Sequence, residues 1–257
     1  MRIISLGSGS QGNSYIVESG NTAVMIDCGF NCKQLCIKAE AADFDLSRLS
    51  GILLTHEHTD HIAALKVFRK KFNLAIYSNS MTAEKTAARL GMDIDDFFCF
   101  ENYQSFEIGE LSIVPFSTPH DAVDSVGYFI NSPDGAYFHG TDFGTPLESI
   151  GRFFEAADFA TLESNHDLSL LWQSDRSIDL KRRIAGESTG HLSNEQAALL
   201  VKKFASNKLK RLALAHLSED CNSPHLAERS MREALAHLGR EDVSLCILDR
   251  FSPVRIV

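Results

Sequence analysis

The sequence predicts an α/β fold whose strands form two sheets lying back to back, with helices on the outer faces. Three observations predict it. Short strand segments interleave with helical ones in both halves of the chain; polar, ligand-type residues recur directly after strands; and 257 residues at 44% hydrophobic content bury a substantial core. The expectation is one domain over residues 1–257, without a linker.

Residues 2–6, 14–18 and 22–26 read as short strands. The first two are joined by Leu6-Gly7-Ser8-Gly9-Ser10-Gln11-Gly12-Asn13-Ser14, whose glycines permit a tight loop. Strand rather than helix follows, so this is no dinucleotide fingerprint. A helix is expected over 31–42. If that segment is helical, Cys28, Cys32 and Cys36 lie along one face, either as buried small hydrophobes or as a soft-metal site. Six cysteines in a chain this long, without dense regular spacing, fit reduced thiols better than a disulfide framework. Residues 52–54 form a continuously apolar strand bounded by Gly51, followed by a helix over 62–71, a strand over 74–77 and a helix over 81–90. A second run of strands covers 104–108, 111–116, 125–130 and 136–139, with turn signals at Gly109 and at Ser132-Pro133-Asp134-Gly135. Helices then recur over 147–156, 194–205 and 226–238, between strands at 159–162, 211–215 and 245–248.

The chemistry concentrates in Thr55-His56-Glu57-His58-Thr59-Asp60-His61, at the carboxyl end of the 52–54 strand, where open α/β sheets place their sites. In an extended stretch alternate side chains share a face, so His56 and His58 grip one cation while Glu57 points away. Asp60 and His61 fall on the turn that opens the next helix and reach a second. Imidazole and carboxylate donors suit Zn, Mn and Fe alike.

His56-Glu57-His58-Thr59-Asp60-His61 resembles the HxHxDH signature of the metallo-β-lactamase-fold hydrolases. Thr118-Pro119-His120, Gly140-Thr141-Asp142 and His216 each follow an apolar strand in the order in which that family supplies its remaining ligands. The resemblance implies a four-layer αββα sandwich and two divalent metal ions. It assigns His56, His58 and His120 to one ion and Asp60, His61 and His216 to the other, with Asp142 bridging. A metal-activated hydroxide is then the implied nucleophile.

The SGSxGN loop at residues 8–13 and the order Glu163-Ser164-Asn165-His166-Asp167, Lys181-Arg182-Arg183-Ile184, Gly190-His191-Leu192-Ser193-Asn194 resemble the exonuclease-like YycJ/WalJ branch. The loop is shared with phosphoribosyl cyclic phosphodiesterases. Ser193 reads as a helix N-cap with Gln196 completing a capping box, and a helix start beside an imidazole makes a phosphate seat. The phosphate contacts expected are therefore His191, Ser193, Asn194 and Asn13. The catalytic residues expected are Asp60 and His191, the latter donating a proton to the leaving oxygen. Asn165 and His166 are expected to brace the metal ligands.

The net charge of −9 opposes general attraction to polyanions, yet basic residues gather at 69–71, 181–183 and 202–211. Each cluster reads either as a solvated face or as a backbone track, and 181–183 lies close to the phosphate seat. Trp172 and Phe143 are candidate stacking surfaces for an end base, although Phe143 also fits a core position. The leading functional reading is a metal-dependent DNA nuclease of 5'-to-3' exonuclease type. A small-molecule cyclic phosphodiesterase is the alternative, and a thioesterase or lactonase fits less well. No apolar stretch reaches the ~18 residues of a membrane span, and the expected location is cytoplasmic.

Overall fold

The computed structural model describes residues 1–257. In chain order its strands and α-helices begin with β1 (Arg2–Gly7), β2 (Ser14–Ser19), β3 (Thr22–Ile26), α1 (Cys32–Ala41), β4 (Leu49–Leu53), α2 (Thr59–Ile62), α3 (Leu65–Phe72), β5 (Ala75–Asn79), α4 (Ser80–Leu90) and β6 (Phe97–Phe100). Next come β7 (Phe106–Ile108), β8 (Leu111–Ser117), β9 (Val126–Ser132), β10 (Gly135–Gly140), α5 (Glu148–Ala156), β11 (Phe159–Glu163), α6 (Leu168–Gln173) and α7 (Ile178–Ile184). The chain closes with α8 (Asn194–Phe204), β12 (Arg211–Ala215), α9 (Pro224–His237), β13 (Ser244–Ile247) and β14 (Val254–Arg255).

Two compact units make up the chain: Met1–Phe116 with Ala122–Asp134 and Asp249–Val257, and Ser117–Asp121 with Gly135–Leu248. The first holds a mixed seven-stranded sheet ordered β14-β1-β2-β3-β4-β5-β6. Its β1, β2 and β3 are antiparallel, and β3, β4, β5 and β6 run parallel. Apolar side chains such as Ile16, Met25, Ile52 and Ile76 are wholly buried and pack with Leu35 of α1 and Phe68 of α3. A fully buried phenylalanine of this kind contributes about 2 kcal/mol. The β7–β8 hairpin turns at Gly109, as the sequence predicts, with φ +54 and Thr22 Oγ1 2.1 Å from where a Cβ would stand. Only glycine fits there.

The second unit contains parallel β10, β11, β12 and β13. Phe138 of β10 meets Phe154 of α5 edge-on at 5.3 Å. Leu200 and Val201 of α8 and Met231 and Leu235 of α9 are buried in the same unit. No helix in the chain is long and apolar enough to cross a membrane.

Two expectations are corrected. The single helix expected over 62–71 is broken into α2 and α3, because the loop after β3 takes over its hydrogen bonds: Cys28 N donates to His61 O at 2.7 Å, and Ala64 N donates to Cys28 O at 2.9 Å. Cys28 thus precedes α1 rather than lying on it, leaving only Cys32 and Cys36 on a helical face, and all six cysteines are free thiols. The strands β6 and β14 and the short helices α6 and α7 were not expected from the sequence.

Candidate active site

The first unit builds one ligand group where β3 and β4 end level, with Ile26 opposite Leu53. Asp27 follows β3 in left-handed backbone, φ +60, and is wholly buried. Thr55 donates to its carboxylate from N at 2.9 Å and from Oγ1 at 2.8 Å, and His61 Nδ1 lies 2.8 Å from Asp27 Oδ2. Burial pushes the Asp27 carboxyl above its usual range, and the charge of His61 only partly opposes this. With Nδ1 given to Asp27, the ring atom by which His61 could hold an ion is Nε2, which the Asn13 amide approaches at 3.1 Å. Thr55 Oγ1 also lies 3.0 Å from His56 Nδ1, and the His56 ring stands 4.0 Å from that of His61 and 4.6 Å from that of His58.

Asp60 lies in the first turn of α2, as expected, with a side chain 25% exposed. Asn13 is buried, and its amide donates toward His61 Nε2 at 3.1 Å and Asp60 Oδ2 at 3.3 Å, while its Oδ1 accepts from Gly9 N at 2.9 Å. Asn13 N donates to Asp60 O at 2.8 Å, and a Cβ on Gly29 would come within 1.7 Å of that same carbonyl. The glycine-rich loop is thus pressed onto the histidine turn. Glu57 accepts from Val123 N at 3.2 Å, and Arg89 caps the turn through Glu57 O and Thr59 Oγ1.

The second unit builds the other group. Parallel register sets Gly140 beside Leu162 and Glu163 beside Ala215, so Asp142, Glu163 and His216 emerge together from the carboxyl ends of β10, β11 and β12. Asp142 and His216 occupy left-handed backbone, with φ +59 and +57. Glu163 is the hub. Its Oε1 accepts from His191 Nδ1 at 2.8 Å and His216 Nδ1 at 2.9 Å, and its Oε2 from Phe143 N and Leu192 N at 3.1 Å each. Burial alone would raise this carboxyl, but the charge and hydrogen bonds of His191 and His216 outweigh it and hold it well below the usual range.

Ligand atoms of Asp142, Glu163, His191 and His216 all lie within 4.8 Å of one another. Asp142 Oδ1 is 3.5 Å from His191 Nδ1 and 3.4 Å from His216 Nδ1. His120 sets Nδ1 3.1 Å from Gly190 O, and burial lowers its pKa against the pull of Asp142. Asn165 donates to His216 O at 2.7 Å. His166 is buried with neither ring nitrogen bonded, and burial lowers its pKa to about 4. Ser193 caps α8 in a capping box with Gln196, as the sequence predicts. Asn194 accepts from Ser164 Oγ at 2.6 Å and Asn222 Nδ2 at 2.9 Å. Phe143 is core, whereas Trp172 is exposed.

Both groups therefore combine imidazole and carboxylate donors, and each holds a ligand histidine by Nδ1 on a buried carboxylate. Nε2 is then the candidate ligand atom of each, and the donor set fits divalent zinc-, manganese- or iron-type metals. Residues 22–217 match the model of the Beta-lactamase superfamily domain. The chain belongs to this superfamily.

Within the superfamily it is 31% identical to exodeoxyribonuclease YycJ of Bacillus anthracis, over 91% of this chain and 89% of that one. It is 32% identical to exodeoxyribonuclease WalJ of Streptococcus pneumoniae, over 90% and 87% respectively. The metallo-β-lactamase fold protein YhfI of Bacillus subtilis superposes over 98% of both chains at a TM-score of 0.74 and 19% identity. The expected αββα fold class is borne out. Two roles escaped the sequence reading: Asp27 was not singled out, and Glu163 was quoted only within a motif. Both follow the strand-then-polar pattern that identified Asp142 and His216, and that pattern was the available signal.

Proposed function

We propose that this superfamily member is a metal-dependent phosphodiester hydrolase that trims DNA from an end, a nuclease of 5'-to-3' exonuclease type. Its metal ligands are His56, His58, Asp60, His61, His120, Asp142 and His216, in the roles the resemblance implies. The observation that carries hydrolysis is the buried carboxylate on the Nδ1 atom of a ligand histidine in each group, Asp27 on His61 and Glu163 on His216. The nuclease reading is supported by likeness, over nine-tenths of the chain, to two proteins named exodeoxyribonucleases.

Bound divalent ions would offset phosphate charge and lower the pKa of a coordinated water. The chain's own residues do the rest. Asp60, partly exposed at the start of α2, orients the attacking water. His191 keeps Nδ1 on Glu163 and has a side chain 21% exposed, so its imidazolium donates one proton inward and the other, from Nε2, to the leaving oxygen. Ser193 and Asn194 are buried with side chains and amides engaged, so of the expected phosphate contacts it is His191 that stands open to substrate. Asn13 acts through Asp60 and His61, and Asn165 steadies His216.

A small cyclic phosphodiester is the second substrate reading, favoured by the net charge of −9. Manganese-loaded protein incubated with 5'- and 3'-labelled single and double strands, beside a cyclic phosphodiester, separates the two. Stepwise shortening from the 5' end is expected; turnover of the cyclic diester with DNA left intact overturns the nuclease reading. His191→Ala slows turnover by about 10² to 10⁴ with metal content intact. Loss of metal in that variant makes His191 a ligand instead.

A further inference from the structure

The α6–α7 segment has no place in the metal chemistry, yet it is tied to the catalytic histidine. His191 N donates to Ile184 O, the last residue of α7, at 2.9 Å, and Gly190 N donates to Gly186 O at 2.8 Å. The peptide carrying His191 therefore hangs from the end of α7. Lys181, Arg182 and Arg183 form the last turn of that helix, and Asp179 lies at its opposite end. Arg183 pairs with Asp121 beside His120, and Arg176 pairs with Asp220 at 3.1 Å. Lys181 and Arg182 are left without a carboxylate partner. Lys181 Nζ donates to the backbone carbonyl of Trp172 at 3.0 Å, which ties the α6 backbone at Trp172 to the basic turn. Trp172, the only tryptophan in the chain, is 46% exposed.

An exposed indole offers a face on which a base can stack, and cations without a carboxylate partner one turn from the His191 peptide suit a polyanion that continues beyond the scissile bond. We infer that the α6–α7 segment is a holding surface for single-stranded DNA, in which Trp172 stacks a base while Lys181 and Arg182 take the neighbouring phosphates. This rests on the nuclease reading above. Stacking on an aromatic face is indifferent to base identity, so the surface grips any sequence, as end-trimming requires.

The lone tryptophan makes a direct probe. Titrating metal-loaded protein with phosphorothioate oligothymidylate is expected to quench its emission, less so as salt rises. Trp172→Ala is expected to raise KM for a single-stranded 20-mer about tenfold or more and to lower, by a similar factor, the ratio of kcat/KM on that strand to kcat/KM on bis(p-nitrophenyl) phosphate. Trp172→Phe restores most of the loss, and Arg182→Glu raises KM with a shallower salt dependence. Wild-type protein that cuts the 20-mer without quenching, or Trp172→Ala with KM within twofold of wild type, overturns the inference alone. Wild-type protein that hydrolyses the small diester but neither cuts nor binds the oligonucleotide overturns the nuclease reading, and the inference with it.

Discussion

Asp27 in the first unit and Glu163 in the second are both wholly buried, both stand at a strand's carboxyl end, and both hold a histidine by Nδ1, yet their acidities move in opposite directions. Burial raises each. Asp27 has one imidazole partner, with the Thr55 hydroxyl and amide as its other donors, and burial wins. Glu163 has two imidazoles and two backbone amides on its two oxygens, and the attraction wins. The direction of a buried carboxylate's shift is set here by how many imidazole and amide donors converge on it, rather than by depth.

The harshest way to break this comparison is Glu163→Gln. The amide brings N–H groups against donors that need acceptors and removes the charge holding two histidines. Metal affinity should fall 10- to 100-fold and turnover by about 10² to 10⁴. Metal content by mass spectrometry and hydrolysis of a small diester read both effects. Asp27→Asn leaves one imidazole to reorient and should cost about tenfold in metal affinity, with little further change in kcat. Equal losses in the two variants would end the distinction.

Acid titration of the metal-free protein sharpens it. The folded Asp27 value lies above 3.8, so its contribution is complete below that pH and is lost as pH rises through the folded value. The folded Glu163 value lies below 4.5, so its contribution is present above that pH and is lost on acidification. Between pH 6 and 3, urea midpoints should therefore fall less steeply for Glu163→Gln than for wild type, and more steeply for Asp27→Asn. The smallest effect expected is at His166, whose bare ring nitrogens and value of about 4 make it a liability below pH 6.5. His166→Leu should raise stability by about 1 kcal/mol and flatten the acid limb from pH 6.5 to 4. A lower urea midpoint at pH 7 would instead point to a bond made by this imidazole in the working enzyme.

What the sequence made legible follows the same physics. Strand-then-ligand order marked His56, His120, Asp142 and His216, because apolar continuity and polar punctuation are both local signals. The Ser193–Gln196 box was readable because its two halves are three residues apart. Asp27 follows β3 in the same strand-then-polar pattern, but its role shows only beside its partner His61, which lies 34 residues away. Glu163 was quoted within a motif but not given its role, which depends on loops from three separate elements. The break between α2 and α3 arises from Cys28 inserting its backbone, which no helical periodicity records. The helices α6 and α7 are too short to show a periodic stripe.

Asp27, Asp142 and His216 all occupy a backbone twist that β-branched residues resist and that Asp, Asn and His tolerate best among side chains bearing a Cβ. Steric filtering and ligand chemistry thus select the same short alphabet at these positions. A mutational library there should return working enzymes mainly through exchanges among those three residues. Valine, isoleucine or threonine would fail in the chain's conformation before metal binding was ever tested.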